Sequence, residues 1–131
     1  MNHPRIIVVD NDMADHELIR IAFERVNGLE EVMFLTSGED LIEHLDTNEQ
    51  DQQPSLIILD YNMPGLNGDE TLRRIKSNPF TKDTPIIIYS TSVSTQMRRD
   101  MQGSGVLLLM EKGDSVAKLE EQARFFLELI Q

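Results

Sequence analysis

The chain has 131 residues, with 12 Lys and Arg against 23 Asp and Glu, no cysteine and a net charge of −11, and its length suits one domain spanning residues 1–131. The charge repels phosphate backbones and anionic lipid, which argues against nucleic acid or a membrane surface as a direct partner. The lack of cysteine excludes disulfides and thiolate chemistry, and with no apolar run of bilayer length and no signal-peptide core the expected setting is cytoplasmic.

Ile6–Val9 is an unbroken β-branched run, the pattern of a strand buried on both faces of a parallel sheet, and it ends in Asp10, Asn11 and Asp12. Over residues 14–26, Leu18, Ile21, Ala22, Phe23 and Val26 fall mostly on helical spacing, and Asn27-Gly28 is a stop signal. Val32–Leu35 predicts a second strand. Ser37-Gly38-Glu39-Asp40 then resembles a capping box ahead of Leu41, Ile42 and Leu45, with the helix ending near Thr47 and residues 48–53 forming a solvated loop.

Leu56–Leu59 repeats the pattern of the first strand and stops at Asp60. Pro64, Gly65 and Gly68 punctuate the loop that follows, and Asn62 and Asn67 tolerate turn geometry. A third helix starts near Gly68, presents Leu72 and Ile75, and closes before Asn78-Pro79. Residues 85–90 make a fourth strand ending in the hydroxyls of Ser90, Thr91 and Ser92. A weaker fourth helix carries Met97 and Met101 and ends around Gly103 or Gly105, and residues 106–110 form a fifth strand followed by Glu111 and Lys112. The fifth helix, about 115–130, has the clearest apolar stripe: Val116, Leu119, Ala123, Phe126 and Ile130. His3, His16 and His44 share no strand end with the acids and read as surface residues.

Five strands alternating with five helices predict an α/β fold: a doubly wound, flavodoxin-like, five-stranded parallel sheet. In the order 2-1-3-4-5 the first and third strands are neighbours at the switch point, so Asp10 and Asp60 lie side by side. Ser90 and Thr91 reach the same rim from the fourth strand, and Lys112 from the fifth. Clustered carboxylates repel unless a cation or proton intervenes, and hard oxygen ligands suit Mg²⁺. Metal, lysine and hydroxyl together neutralise a phosphoryl group in transit, so this rim suits phosphoryl transfer to or from a carboxylate.

Val8-Val9-Asp10, residues 56–68 with Asp60, Asn62, Pro64 and Gly68, residues 85–91 and Lys112 occur in this order on these elements. With them the whole chain resembles a receiver domain of two-component response regulators. The Asn62-Met63-Pro64-Gly65 loop and the lack of an output domain resemble the stand-alone type, including receivers paired with phytochrome-type kinases. The resemblance implies that Asp60 accepts a phosphoryl group from the phosphohistidine of a histidine kinase or phosphotransfer protein. It further implies that Asp10, Asn11 and Asp60 with the Asn62 backbone carbonyl hold Mg²⁺, that Ser90 is the switch hydroxyl, and that Lys112 is the cationic clamp. Phosphotransfer and hydrolysis would then be self-directed, in a signalling module rather than a metabolic enzyme. Output is expected through helix four, strand five and helix five, to a downstream protein or a second copy in a homodimer, because Phe125, Leu127 and Leu129 lie off the main stripe.

Three positions depart from the family. Asn11 replaces an acid, which should weaken Mg²⁺ binding, although Asp12 is placed to restore some charge. Gly113 replaces a proline usually joined by a cis bond, so a trans bond is expected after Lys112. Leu109 stands where an aromatic is often found, while Tyr89 precedes the hydroxyl. These departures support an alternative, a binding module that no longer depends on phosphorylation. A third possibility is an enzyme, since Val8-Val9-Asp10-Asn11-Asp12 also matches the start of haloacid-dehalogenase-type phosphatases. That family calls for an acidic motif beyond Lys112 and usually a cap domain, and it leaves the Asp60 loop unexplained.

Overall fold

The three most apolar runs become the three central strands. In the computed structural model, which describes residues 3–131, β1 (Ile6–Val9), β3 (Leu56–Leu59) and β4 (Ile86–Ser90) are buried along their whole length. The outer strands β2 (Val32–Leu35) and β5 (Leu108–Glu111) are largely half-buried. All pairings are parallel and the order is β2-β1-β3-β4-β5, as expected.

Alternation along the strands sorts the core into two layers. Ile6, Val8, Leu56, Ile58, Ile87 and Tyr89 face α1 (Met13–Arg25) and α5 (Val116–Leu129). Ile7, Val9, Ile57, Leu59, Ile86 and Ile88 face α2 (Gly38–Thr47), α3 (Gly68–Ser77) and α4 (Thr95–Met101) through Leu41, Leu45, Leu72, Ile75, Met97 and Met101. Asp12, Ser37, Asn67, Ser94 and Ser115 cap these helices, each accepting backbone N–H groups of the first turn. Each such cap contributes about 1 kcal/mol. No helix among the described residues is long and apolar enough to cross a membrane.

Three sequence expectations need correction. Strand β5 begins at Leu108 rather than 106, because Gly103 and Gly105, with φ of 76° and 90°, keep the chain turning before it joins β4. The loop over 48–53 contains a 3-10 turn, Gln50–Gln52. Phe125 and Leu127 do not form an open apolar patch: α5 packs beside α1, and both side chains are partly buried against the α1–α5 layer, leaving Leu129 40% exposed.

Phe126 sits at the centre of that layer, 1% exposed, edge-on to Tyr89 at 5.4 Å and stacked on Phe23 at 6.3 Å between ring centroids. Phe126→Ala is expected to cost about 3 to 5 kcal/mol, as large buried aromatics do, whereas Leu129→Ala should stay within about 0.5 kcal/mol. Urea unfolding measures both, and equal midpoints for the two variants would contradict the packing described.

Candidate functional site

Register places the acids. Val9 pairs with Leu59 across β1 and β3, so the next residue on each strand, Asp10 and Asp60, emerges at the same height. The ladder continues through them: Asp10 N–H donates to the Leu35 carbonyl at 3.1 Å and Asp60 N–H to the Val9 carbonyl at 2.9 Å. Ser90 pairs with Glu111, and Lys112 N–H donates to the Ser90 carbonyl at 2.7 Å. Backbone hydrogen bonds therefore fix three of the expected site residues before any side chain is considered.

The Lys112 ammonium lies 2.5 Å from Asp10 Oδ2, 2.8 Å from Asp15 Oδ2 and 3.9 Å from Asp60 Oδ2. Asp10 is fully engaged, since its Oδ1 also accepts the Asp12 N–H at 2.9 Å. Asp60 is not: its Oδ1 accepts only a long 3.4 Å bond from Asn62 N–H. Burial first, then the charge of Asp10, push the Asp60 carboxyl up from 3.8 to about 6, and Lys112 offsets only part of this. Burial alone would pull Lys112 down, but its bonds to Asp10 and Asp15 and the nearby carboxylates hold its ammonium above the ordinary lysine value.

Ser90 is buried at the end of β4, while Asn11, Asn62 and Thr91 are exposed around the rim. Asp12 does not turn into the acid pair to replace the charge lost at Asn11. Its Oδ1 caps α1, accepting from Ala14 and Asp15 N–H. The peptide bond after Lys112 is trans, as expected, since no cis bond occurs among the described residues.

Asp15 was not singled out from the sequence, although it lies three residues after a capping Asp, a spacing that returns it to the helix mouth. His16 corrects the surface assignment. It is 7% exposed, its Nε2 contacting the Asp10 and Leu35 carbonyls beneath the acid pair. Spacing to Ile19 and Phe23 on the buried stripe could have found it. His3 and His44 are half-buried and have no contact with the cluster.

Three carboxylates and one ammonium leave a charge of −2 on the rim when all are ionised. The two buried carboxylates of Asp10 and Asp60, with Asn11 and Asn62 one and two residues beyond them in the chain, make an oxygen-donor set whose chemistry fits a hard divalent cation that keeps several waters.

Residues 6–124 match the response regulator receiver domain family. The chain belongs to that family. Among relatives, Rcp1 of a Synechocystis strain is 32% identical over 95 residues, covering 70% of this chain and 65% of that protein. A protein-glutamate methylesterase/protein-glutamine glutaminase of Clostridium acetobutylicum is 32% identical over 102 residues; the match covers 78% of this chain and 28% of that relative's length. Among solved structures, the phosphorylated cyanobacterial phytochrome response regulator RcpA superposes with a TM-score of 0.83 at 26% identity, covering 98% of this chain and 94% of that one. The chain is thus a receiver domain of the two-component signalling class, and the match takes in the Asp60 loop that the phosphatase alternative leaves unexplained.

The raised Asp60 carboxyl in this receiver sets a pH dependence. Between about pH 3.8 and 6 the folded chain holds a proton that the unfolded chain has released, so stability falls as pH rises through that window. Asp60→Asn removes the buried charge and is expected to stabilise the metal-free protein by about 1 to 2 kcal/mol at pH 8, with the gain vanishing near pH 4. Urea unfolding across this range checks it, and equal stabilities at pH 8 would show that Asp60 is not strained by its surroundings.

Proposed function

We propose that Asp60 of this receiver accepts a phosphoryl group from the phosphohistidine of a histidine kinase or phosphotransfer protein, and that the resulting acyl phosphate switches protein–protein contacts. The observation that carries this is the unequal sharing of Lys112. Asp10 has both oxygens bonded, whereas Asp60 keeps an oxygen 3.9 Å from the ammonium and is bound otherwise only by a long contact. Its oxygen is free to attack phosphorus as the phosphorus–nitrogen bond to the donor imidazole breaks.

Mg²⁺ would be held by Asp10, Asn11, Asp60 and the Asn62 carbonyl, and when bound it supplies the positive charge that lets an anionic donor approach an acidic rim. Rcp1 has been solved in an Mn²⁺-bound form, which supports a divalent ion here. Ser90 donates its hydroxyl to a phosphoryl oxygen, and Lys112 neutralises another. Residues 1–131 act as one receiver module whose phosphotransfer and hydrolysis are self-directed, and the cysteine-free sequence suits the cytoplasm.

Output runs through α4, β5 and α5, to a downstream protein or a second copy. Supporting this, a groove on the α4–β5 face is lined by Met101, Val106, Leu108 and Leu109 beside Arg98 and Arg99, and Leu107, next to it in the chain, is 50% exposed.

Acetyl phosphate with Mg²⁺ is expected to label Asp60, located by trapping the acyl phosphate and sequencing the labelled peptide. Absence of label with any divalent metal would instead favour a binding module independent of phosphorylation, and label on Asp10 would favour phosphatase-type chemistry. Asn11→Asp is expected to tighten Mg²⁺ by on the order of tenfold, since a carboxylate replaces a neutral amide oxygen at the same position. Asp10→Asn should weaken binding by a similar factor. Metal titration decides, and unchanged affinity in Asn11→Asp would move the ligand to another residue.

A further inference from the structure

Lys112 leaves the sheet at the end of β5, a half-buried edge strand, and a glycine follows it. The backbone on both sides of the lysine is nonetheless held by one side chain. Gln122 of α5 donates from Nε2 to the Glu111 carbonyl at 2.8 Å and accepts the Gly113 N–H on Oε1 at 2.9 Å. The same Oε1 accepts the hydroxyl of Tyr89 from β4. Gln122 is 8% exposed and Tyr89 2%, so neither group has water as a ready alternative. A primary amide offers a donor and an acceptor in one rigid plane, as bridging the two peptide groups that flank a residue requires.

Gly113 completes the arrangement. A Cβ there would lie 2.8 and 2.9 Å from Lys118 Cγ and Cβ and 3.0 Å from Leu119 N, so the chain passes too close to α5 for any side chain. A proline at this place would also lack the N–H that Gln122 accepts. Gly113 and Gln122 form a matched pair: one lets the loop touch α5, and the other ties it there.

We propose that Gln122, held in orientation by Tyr89, is a positioning residue for Lys112, fixing where the ammonium stands relative to Asp10, Asp15 and Asp60. Its kinetic consequence rests on the reading of Asp60 as phosphoryl acceptor. Loss of the amide frees the peptides on either side of the lysine, and small misplacements of a charge-neutralising group are costly in rate.

The test uses the full chain and five proteins: the parent, Gln122→Met, Tyr89→Phe, Lys112→Ala and the double variant Lys112→Ala with Gln122→Met. The rate of Asp60 phosphorylation by acetyl phosphate at saturating Mg²⁺ is measured for each. Gln122→Met is expected to slow it about tenfold and Tyr89→Phe about threefold, while Gln122→Met adds nothing once Lys112 is gone. In ¹⁵N-lysine NMR spectra without metal, the parent should show a slowly exchanging Lys112 ammonium signal that Gln122→Met loses and Tyr89→Phe weakens. Equal slowing by Gln122→Met with and without Lys112, or an unchanged rate and ammonium signal, would overturn the proposal. Should Gln122→Met not fold, Tyr89→Phe, which keeps the ring in the core, carries both measurements. Failure of the parent to label at Asp60 would remove the functional reading alone, and the ammonium signal would still decide the role of Gln122.

Discussion

One ammonium shared among three carboxylates is the constraint on which the rest of this receiver depends. The register of β1 and β3 forces Asp10 and Asp60 together, and the first turn of α1 brings Asp15 to the same lysine. The backbone of each is held in turn, Asp10 and Asp60 by ladder bonds and Asp15 by the helix cap. In a partly desolvated site such crowding is unfavourable, and it falls mainly on Asp60, the member with the weakest partners. The arrangement leaves Asp60 basic and under-bonded, the state that the proposed nucleophilic role calls for. Stability for this has to come from elsewhere, and the three fully buried central strands with two helical layers against them are the evident source.

The lysine is delivered by an edge strand, whereas the acids are delivered by central ones. An edge strand is paired on one side only, so the backbone that carries the lysine has fewer ties against movement than the backbone that carries the acids. Two connections limit such movement, the Ser90 carbonyl from one side and the Gln122 amide from the other. Tyr89 and Ser90 are consecutive on β4, and alternation sends neighbouring residues to opposite faces. Tyr89 reaches Gln122 within the α1–α5 layer, while the Ser90 backbone holds Lys112. The end of β4 is thus joined to α5 through side chains in direct contact.

The central elements were legible because their burial is complete: an unbroken β-branched run such as Ile6–Val9 reads the same from the sequence as it stands in the sheet. Strand order followed from the switch-point rule, and with it the adjacency of Asp10 and Asp60. Residues whose roles depend on a partner distant in sequence were not legible. Asp15 finds Lys112 97 residues away, and Gln122 finds Tyr89 33 residues away. A polar residue inside an apolar stripe, as His16 and Gln122 both are, was the available signal. Phe125 and Leu127 misled because a single helix's periodicity does not reveal that a second helix covers its flank.

Asn11 acquires a physical meaning once the charges are counted. The rim carries −2 from three carboxylates and one ammonium, and one divalent cation would neutralise it. On the proposed chemistry, conversion of the Asp60 carboxylate to an acyl phosphate dianion adds roughly one further negative charge, so the loaded site stands near −1. An acid at position 11 would have made it −2. With Asn11 at the proposed cation site, the amide would give up metal affinity in the unphosphorylated state while lowering repulsion in the phosphorylated one. Asp15 makes that exchange tolerable, since it keeps a third carboxylate at the rim through Lys112 rather than through the metal. On the proposed chemistry, the departure from the family at Asn11 and the Asp15 contact with Lys112 would be two parts of one charge balance, distributed between the cation and the lysine.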